Sequence, residues 1–183
     1  MKPCVMYLAF LMLTCGEAAA GDGFEAVRCG ADIPQALIGK HNPNERVVVL
    51  EVRHRDLALK DLGATEITDQ IDAITWSICG REYMLLEDKR GVIRDVLPFP
   101  PHSKNAPAFT GNCEINGHST VETIVAVLNN SGGYKKDYDL FDKSLFPAVQ
   151  AWKIDTKRTK FIKVDIAGMR CPRNGIDTAD GGP

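Results

Sequence analysis

The stretch "AITWSICGREYMLL", residues 73–86, decides the fold class. Ile74, Trp76 and Ile78 alternate with Thr75, Ser77 and Cys79, the two-residue period of a strand with one apolar and one mostly polar face. Gly80 interrupts the pattern. A glycine inside a strand run predicts a bulge or bend, where the chain twists or changes direction before Tyr83-Met84-Leu85-Leu86 continues.

On the C-terminal side, Gly91 supplies the positive φ of a tight turn after Glu87-Asp88-Lys89-Arg90, and "VIRDVL" returns, so residues 83–97 read as a hairpin. "PFPPHSKNAP", residues 98–107, has too many prolines for a helix interior or a central strand and reads as an extended connector. Asn116-Gly117 marks another hairpin turn. Ile124–Leu128 are apolar on both faces, as in a strand inside a sheet or barrel wall. "DLFDKSLFPAVQ", residues 139–150, predicts a helical turn or two capped by Asp142 or Ser144, with Pro147 near the start. A last hairpin follows. Trp152 and Ile154 share one face of its first arm; in the second, Ile162, Val164 and Ile166 oppose Phe161, Lys163 and Asp165.

On the N-terminal side, "FEAVRC" (24–29) and the valine run "VVVLEV" (47–52) read as strands. In "HRDLALKDLG" (54–63), Asp56 is a candidate cap for a short helix with Leu57, Leu59 and Leu62 on its buried side and Gly63 as a stop; an ordered loop is the alternative. The expected fold is therefore mainly β. It is a single domain of antiparallel strands, a small barrel or strongly twisted sheet, with one or two short helices. The Pro-rich connector could separate two sub-lobes, but each half alone is small for an independent core.

The chain has 183 residues, 44% apolar and 25% charged, the balance of a globular protein. A formal net charge of −2 argues against a nucleic-acid partner, which calls for a basic excess. Residues 1–20 have the pattern of a signal peptide: Lys2, the apolar run 4–15, then Ala18-Ala19-Ala20 as the cleavage site. The run is short for a membrane span, so no stable transmembrane segment is expected after cleavage. The globular domain is then residues 21–172. Residues 173–183 lack apolar periodicity and read as a flexible tail. The expected location is secreted or periplasmic.

Cleavage removes Cys4 and Cys15 and leaves Cys29, Cys79, Cys113 and Cys171, an even set that reads as two disulfides in an exported chain. Cys29–Cys79 with Cys113–Cys171 is favoured because each closes a loop within one half of the chain. The nested pairing Cys29–Cys171 around Cys79–Cys113 is the rival. No C-x-x-C pair supports zinc, and His41, His54, His102 and His118 show no metal-ligand spacing, so neither a metal nor a cofactor is expected.

No motif names a catalyst. His54-Arg55-Asp56 shares letters with a kinase catalytic loop, but no glycine-rich phosphate loop precedes it, and position 61 is Asp rather than Asn. There is no G-x-S-x-G, and Ser119 beside His118 points away from it in a strand. Asp69/Asp72 and Asp137/Asp139 are carboxylate pairs whose value depends on spatial separation. Residues 129–139 combine flexibility with Tyr134, Lys135, Lys136 and Tyr138. Together with Phe99 and His102 of the connector, these are the candidate ligand-binding residues. Asn129-Asn130-Ser131 is formally a glycosylation acceptor. "DKR" (88–90) and "TKR" (156–158) occupy two similar turns. They read as plain turn chemistry, with a shared ligand surface as the rival.

The expected function is an exported, non-catalytic binding module. Candidate partners are an envelope or secreted protein or a polysaccharide. A small extracytoplasmic hydrolase using Asp and His residues, and a structural envelope protein, are the alternatives.

Overall fold

A computed structural model of the protein describes residues 23–43, 45–103, 106, 108–130 and 144–172. The predicted signal peptide, the loop bearing Tyr134, Lys135, Lys136 and Tyr138, and the predicted tail lie outside the described residues.

The fold is mainly β, two antiparallel sheets curled into a half-barrel with two helices. β1 (Lys60–Thr68), β2 (Ile71–Ile78), β3 (Arg81–Asp88) and β4 (Ile93–Pro98) form a meander in sequence order. The second sheet contains β5 (Ala108–Gly111), β6 (Glu114–Ile115), β7 (His118–Ser119), β8 (Ile124–Leu128), β9 (Leu145–Asp155), β10 (Lys160–Lys163) and β11 (Met169–Pro172). β9 is its spine. β8 runs along one side, while β10 and β11 take successive stretches of the other.

The first sheet is covered on both faces. Trp76, Ile78, Tyr83, Leu85, Ile93 and Val96 pack under the N-terminal helical segments, together with Phe24, Leu37 and Leu50. Ile71, Ala73, Met84, Leu86, Leu97 and Phe99 face the second sheet and meet Val125, Val127 and Ile154. The far side of that sheet builds a third core from Phe109, Ile124, Ala126, Leu128 and Met169. The alternation of apolar side chains in β2 and β3 thus serves two cores. This corrects the expectation of a mostly polar face on β2: Thr75 is itself buried there.

Gly80 does more than bend a strand. Cys79 and Gly80 both have positive φ, 54° and 74°, and make a two-residue reversal between β2 and β3. Such a pair fits the right-handed twist of the flanking strands. The hairpin expected over residues 83–97 is present as β3–β4, with Gly91 at φ 72°. The hairpin at Asn116-Gly117 and the last one, β9–β10, are also present. Both favoured disulfides are formed, Cys29–Cys79 and Cys113–Cys171.

Four further expectations are overturned. Residues 24–29 are not a strand: Gly23–Ala26 is a 3-10 turn that buries Phe24 and Val27 at a three-residue spacing. The valine run is helix α2 (Val47–Arg53), following α1 (Ile33–Leu37). Its β-branched residues favour a strand, but only one side of the segment is covered. Leu50 is buried and Val47 packs against the first core, while Val48, Val49 and Val52 face solvent, so tertiary context overrides propensity. In 54–63 only Arg55–Leu57 makes a helical turn, without a cap from Asp56, and Lys60 already begins β1. Leu62 is half-buried at a register shift between Asp61 and Gly63 rather than on a helix. Finally, the segment from Leu145 onward is β9 with Pro147 inside it, not a helical turn, and Ser144 precedes a strand; residues 139–143, Asp142 among them, lie outside the described residues. The proline is tolerated near the strand's start, where its carbonyl accepts the Asn129 N–H at 2.8 Å and a bulge follows.

Among the described residues no helix is long and apolar enough to cross a membrane.

Candidate functional site

The β2–β3 reversal also builds one wall of a cavity. The register of β3 and β4 opposes Tyr83 to Pro98, and the next step brings the Phe99 N–H onto the Glu82 carbonyl at 2.8 Å. The connector after β4 is thereby laid beside the turn between β2 and β3. Gly80, Arg81 and Glu82 form one side of the resulting cavity, and Phe99, Pro100, Pro101 and His102 the other; its volume is about 550 Å³.

A side-chain contact joins the two walls as well. His102 Nε2 lies 2.7 Å from Glu82 Oε2, with the imidazole 5% exposed and the carboxylate 26% exposed. Which of the two atoms donates is set by the imidazole tautomer. Nδ1 is buried without a hydrogen-bond partner. The Phe99 ring meets the imidazole edge to face, with centroids 5.4 Å apart. Arg81 is exposed, and its guanidinium carbon lies 5.8 Å from the centroid of the Tyr83 ring. The Cys29–Cys79 bridge ties this turn to the N-terminal segment.

Of the candidate ligand-binding residues, Phe99 and His102 line this cavity together. Tyr134, Lys135, Lys136 and Tyr138 lie outside the described residues. Arg81 and Glu82 were missed. Their signal was the hairpin register itself, which, continued one step past β4, sets the connector against the residues after Gly80.

The other histidines are scattered. His54 is buried against Phe24, with centroids 5.7 Å apart; His41 and His118 are exposed. Among the described residues no group of three or more His, Cys, Asp or Glu is placed to hold a metal ion. Asp69 sits in the β1–β2 turn and bonds Gln70 Nε2 at 3.2 Å, whereas Asp72 opposes Glu87 across β2–β3. Asp137 and Asp139 are outside the described residues.

The two similar basic turns owe their likeness to the aspartate that starts each. Asp88 Oδ1 accepts from the Arg90 and Val92 N–H groups, and its Oδ2 from the Arg94 side chain. Asp155 Oδ1 accepts from the Lys157 and Arg158 N–H groups. An aspartate that captures amides two and more residues ahead nucleates a turn locally. The basic residues then project outward: Lys89, Arg90, Lys157 and Arg158 are exposed.

Neither a protein-family model, nor a curated protein, nor a solved structure matches this chain.

Proposed function

We propose that the chain is an exported, non-catalytic binding protein, and that its ligand enters the cavity between the β2–β3 turn and the Pro-rich connector. The observation that carries this reading is how His102 is used. One ring nitrogen is committed to Glu82 at 2.7 Å and the other is buried. A general base needs an open nitrogen within reach of a substrate proton. Here the imidazole instead fastens one wall of a concave site of mixed polar and apolar lining to the other. Among the described residues, no Ser, Thr or Cys lines the cavity to act as a nucleophile. Export is supported by the signal-peptide pattern of residues 1–20 and by the two disulfides, which belong to oxidising compartments. A cavity of this size suits a small ligand, or the end group of a polysaccharide or of a secreted protein.

The test is a fragment screen by amide NMR on the disulfide-intact protein. Binders are expected to move the signals of residues 80–82 and 99–102 without being turned over. Hits that map elsewhere would remove the cavity as the binding site.

The second reading, a small extracytoplasmic hydrolase, has one observation in its favour: a histidine–carboxylate pair within hydrogen-bond reach in a concave site. Turnover of ester, amide or glycoside substrates, abolished by Glu82→Gln in a folded protein, would establish it over the first. The third reading, a structural envelope component, has no observation that favours it.

A further inference from the structure

We propose that a proton on Glu87 closes a clasp between the first sheet and the strap that joins its two helices. The protonated Glu87 Oε2 donates to Asn42 Oδ1, while the Asn42 amide donates back to the other carboxyl oxygen. The clasp is independent of what the cavity binds.

The strap is residues 39–42, between α1 and α2. It lies along the start of β4 as a short extra strand. The Gly39 N–H donates to the Ile93 carbonyl at 2.8 Å, the Ile93 N–H to the Lys40 carbonyl at 2.9 Å, and the Asn42 N–H to the Gly91 carbonyl at 2.8 Å. His41 opposes Val92 in an antiparallel bridge. On the other side of the strap the His41 carbonyl accepts the Gly23 N–H at 3.1 Å. A cover held by so short a ladder opens more easily than the sheet beneath it, so a side-chain contact decides how firmly it stays shut.

Glu87 and Asn42 make that contact. Glu87 opposes Ile93 across β3–β4, and Ile93 is the residue that bonds the strap in both directions. The Asn42 side chain hydrogen-bonds the Glu87 carboxyl. One oxygen on each partner, Glu87 Oε2 and Asn42 Oδ1, is buried without a hydrogen-bond partner. Both are acceptors while the carboxyl is ionised, so neither can satisfy the other. Buried polar atoms left unpaired are costly and rare. A single proton serves both: a carboxylic acid and a primary amide match edge to edge, each giving one hydrogen bond and taking one.

The surrounding charges favour the proton. Asp72 on β2 opposes Glu87, and Glu66 on β1 opposes Asp72. Asp88 is the next residue along β3. Arg94 on β4 and Arg90 in the turn are both bonded to Asp88. Lys89 in the turn, and Lys40 and His41 on the strap, are exposed. Burial and the two aspartates push the Glu87 carboxyl up against the Asn42 bond. Opening the strap returns Glu87 to water. The strap is therefore held most firmly below the ordinary carboxyl value of about 4.3, and it loosens as pH rises through the raised folded value.

The experiment measures amide hydrogen exchange on the full, disulfide-intact chain from pH 4.5 to pH 8, where Asp88 is ionised. His41→Gln is the background, so that the strap carries no imidazole. Protection of the Gly39, Asn42 and Ile93 amides, corrected for intrinsic exchange and referred to the amides of β2, is expected to fall roughly 5-fold across the range, the worth of one net hydrogen bond. Its midpoint should coincide with the titration of the Glu87 carboxyl carbon. Glu87→Gln carries a donor at every pH and is expected to keep the strap at its acid-state protection throughout. Asn42→Ala should lower protection in acid and flatten the dependence on pH. A slope undiminished in Asn42→Ala assigns the effect to burial of Glu87 alone and overturns the clasp. Strap protection that does not change with pH, or that changes out of step with the Glu87 carboxyl, overturns it as well.

Discussion

The Asp95 carboxylate accepts the Phe161 backbone N–H at 2.8 Å, joining β4 of the first sheet to β10 of the second. The two residues are 66 apart in sequence, and both are half-buried. The bond falls where the half-barrel would otherwise gape, since β4 and β10 are not paired by a strand ladder. Asp95→Ala strands the Phe161 N–H and is expected to cost about 1.5–3 kcal/mol, the range for a hydrogen bond to a charged group. Urea unfolding measures it. Asp95→Asn keeps an acceptor and should recover part of the loss. Equal stability of Asp95→Ala and the parent protein would show that the sheets need no such tie.

The Cys29–Cys79 bridge closes a loop of 50 residues, and Cys79 is half of the reversal that begins the cavity wall. Replacing both cysteines by serine should lower stability by roughly 2–5 kcal/mol. It should also weaken cavity ligands, because Cys79 holds a left-handed conformation that a non-glycine residue adopts only under constraint. Replacing Cys113 and Cys171 is expected to cost comparable stability and to leave ligand affinity alone, as that bridge belongs to the far core. Calorimetric unfolding and ligand titration of the two double variants distinguish these effects.

Glu87 and Asp88 are neighbours whose carboxyls are pushed in opposite directions. Burial pushes Glu87 up, and the charges of Asp72 and Asp88 add to it, against a hydrogen bond from Asn42. For Asp88 partial burial also pushes upward, but the hydrogen bonds from the Arg94 side chain, the Arg90 and Val92 N–H groups and the Arg90 side chain outweigh it and hold the carboxyl well below the usual range. The folded state therefore prefers Glu87 protonated and Asp88 ionised. Glu87's contribution is fully present below its unfolded pKa of about 4.3 and is lost as pH rises through its folded value. Asp88's is present above its unfolded pKa of about 3.9 and is lost as pH falls toward its folded value. Glu87→Gln is thus expected to stabilise the protein at pH 7 and to have little effect below about pH 4. Asp88→Asn should destabilise it at pH 7, with the deficit shrinking in acid. Denaturant midpoints across pH 3–8 give the two slopes, and parallel curves for both variants would refute the assignment.

Leu85 and Leu86 are adjacent in β3, fully buried, and point into different cores. Each leucine-to-alanine change should cost about 2–5 kcal/mol. The two cores lie on opposite faces of one sheet and share few partners. The double variant is therefore expected to approach the sum of the singles, less a small coupling through the shared backbone. A double-mutant cycle measures it.

The strands β2, β3, β4 and β8 and the β9–β10 hairpin were legible because their periodicity and turn chemistry agree, whereas the short β5 and β11 and the start of β9 gave no such signal. Gly91 and the Asn116-Gly117 pair each mark a reversal that exists. The disulfide pairing was legible from loop economy. What failed was local reading where tertiary cover decides. Val47–Arg53 has the composition of a strand and the one-sided burial of a helix, and that burial is set by β1–β4, which come later in the chain. Pro147 misled for a related reason: a proline lacks the N–H that a ladder uses, and it fits here because it stands near the start of β9 beside the pairing irregularity at Val127/Leu128, which a distant strand supplies. The cavity was half legible. Proline density drew attention to Phe99 and His102, but Arg81 and Glu82 acquire a role only once the hairpin register places them opposite.

The helical state of Val47–Arg53 carries a liability as well. Val48, Val49 and Val52 are 69%, 44% and 67% exposed, in a six-residue run with a single charge and no proline. Such runs stack readily into fibrils once extended. Beside it, β1 is an edge strand of the first sheet, guarded by the exposed Lys60 and Glu66 and the irregularity at Leu62. Conditions that melt this one helix while sparing the sheets set a fibril-prone run beside an open strand edge, so resistance to aggregation depends on seven residues that pack against the Cys29–Cys79 end of the first sheet.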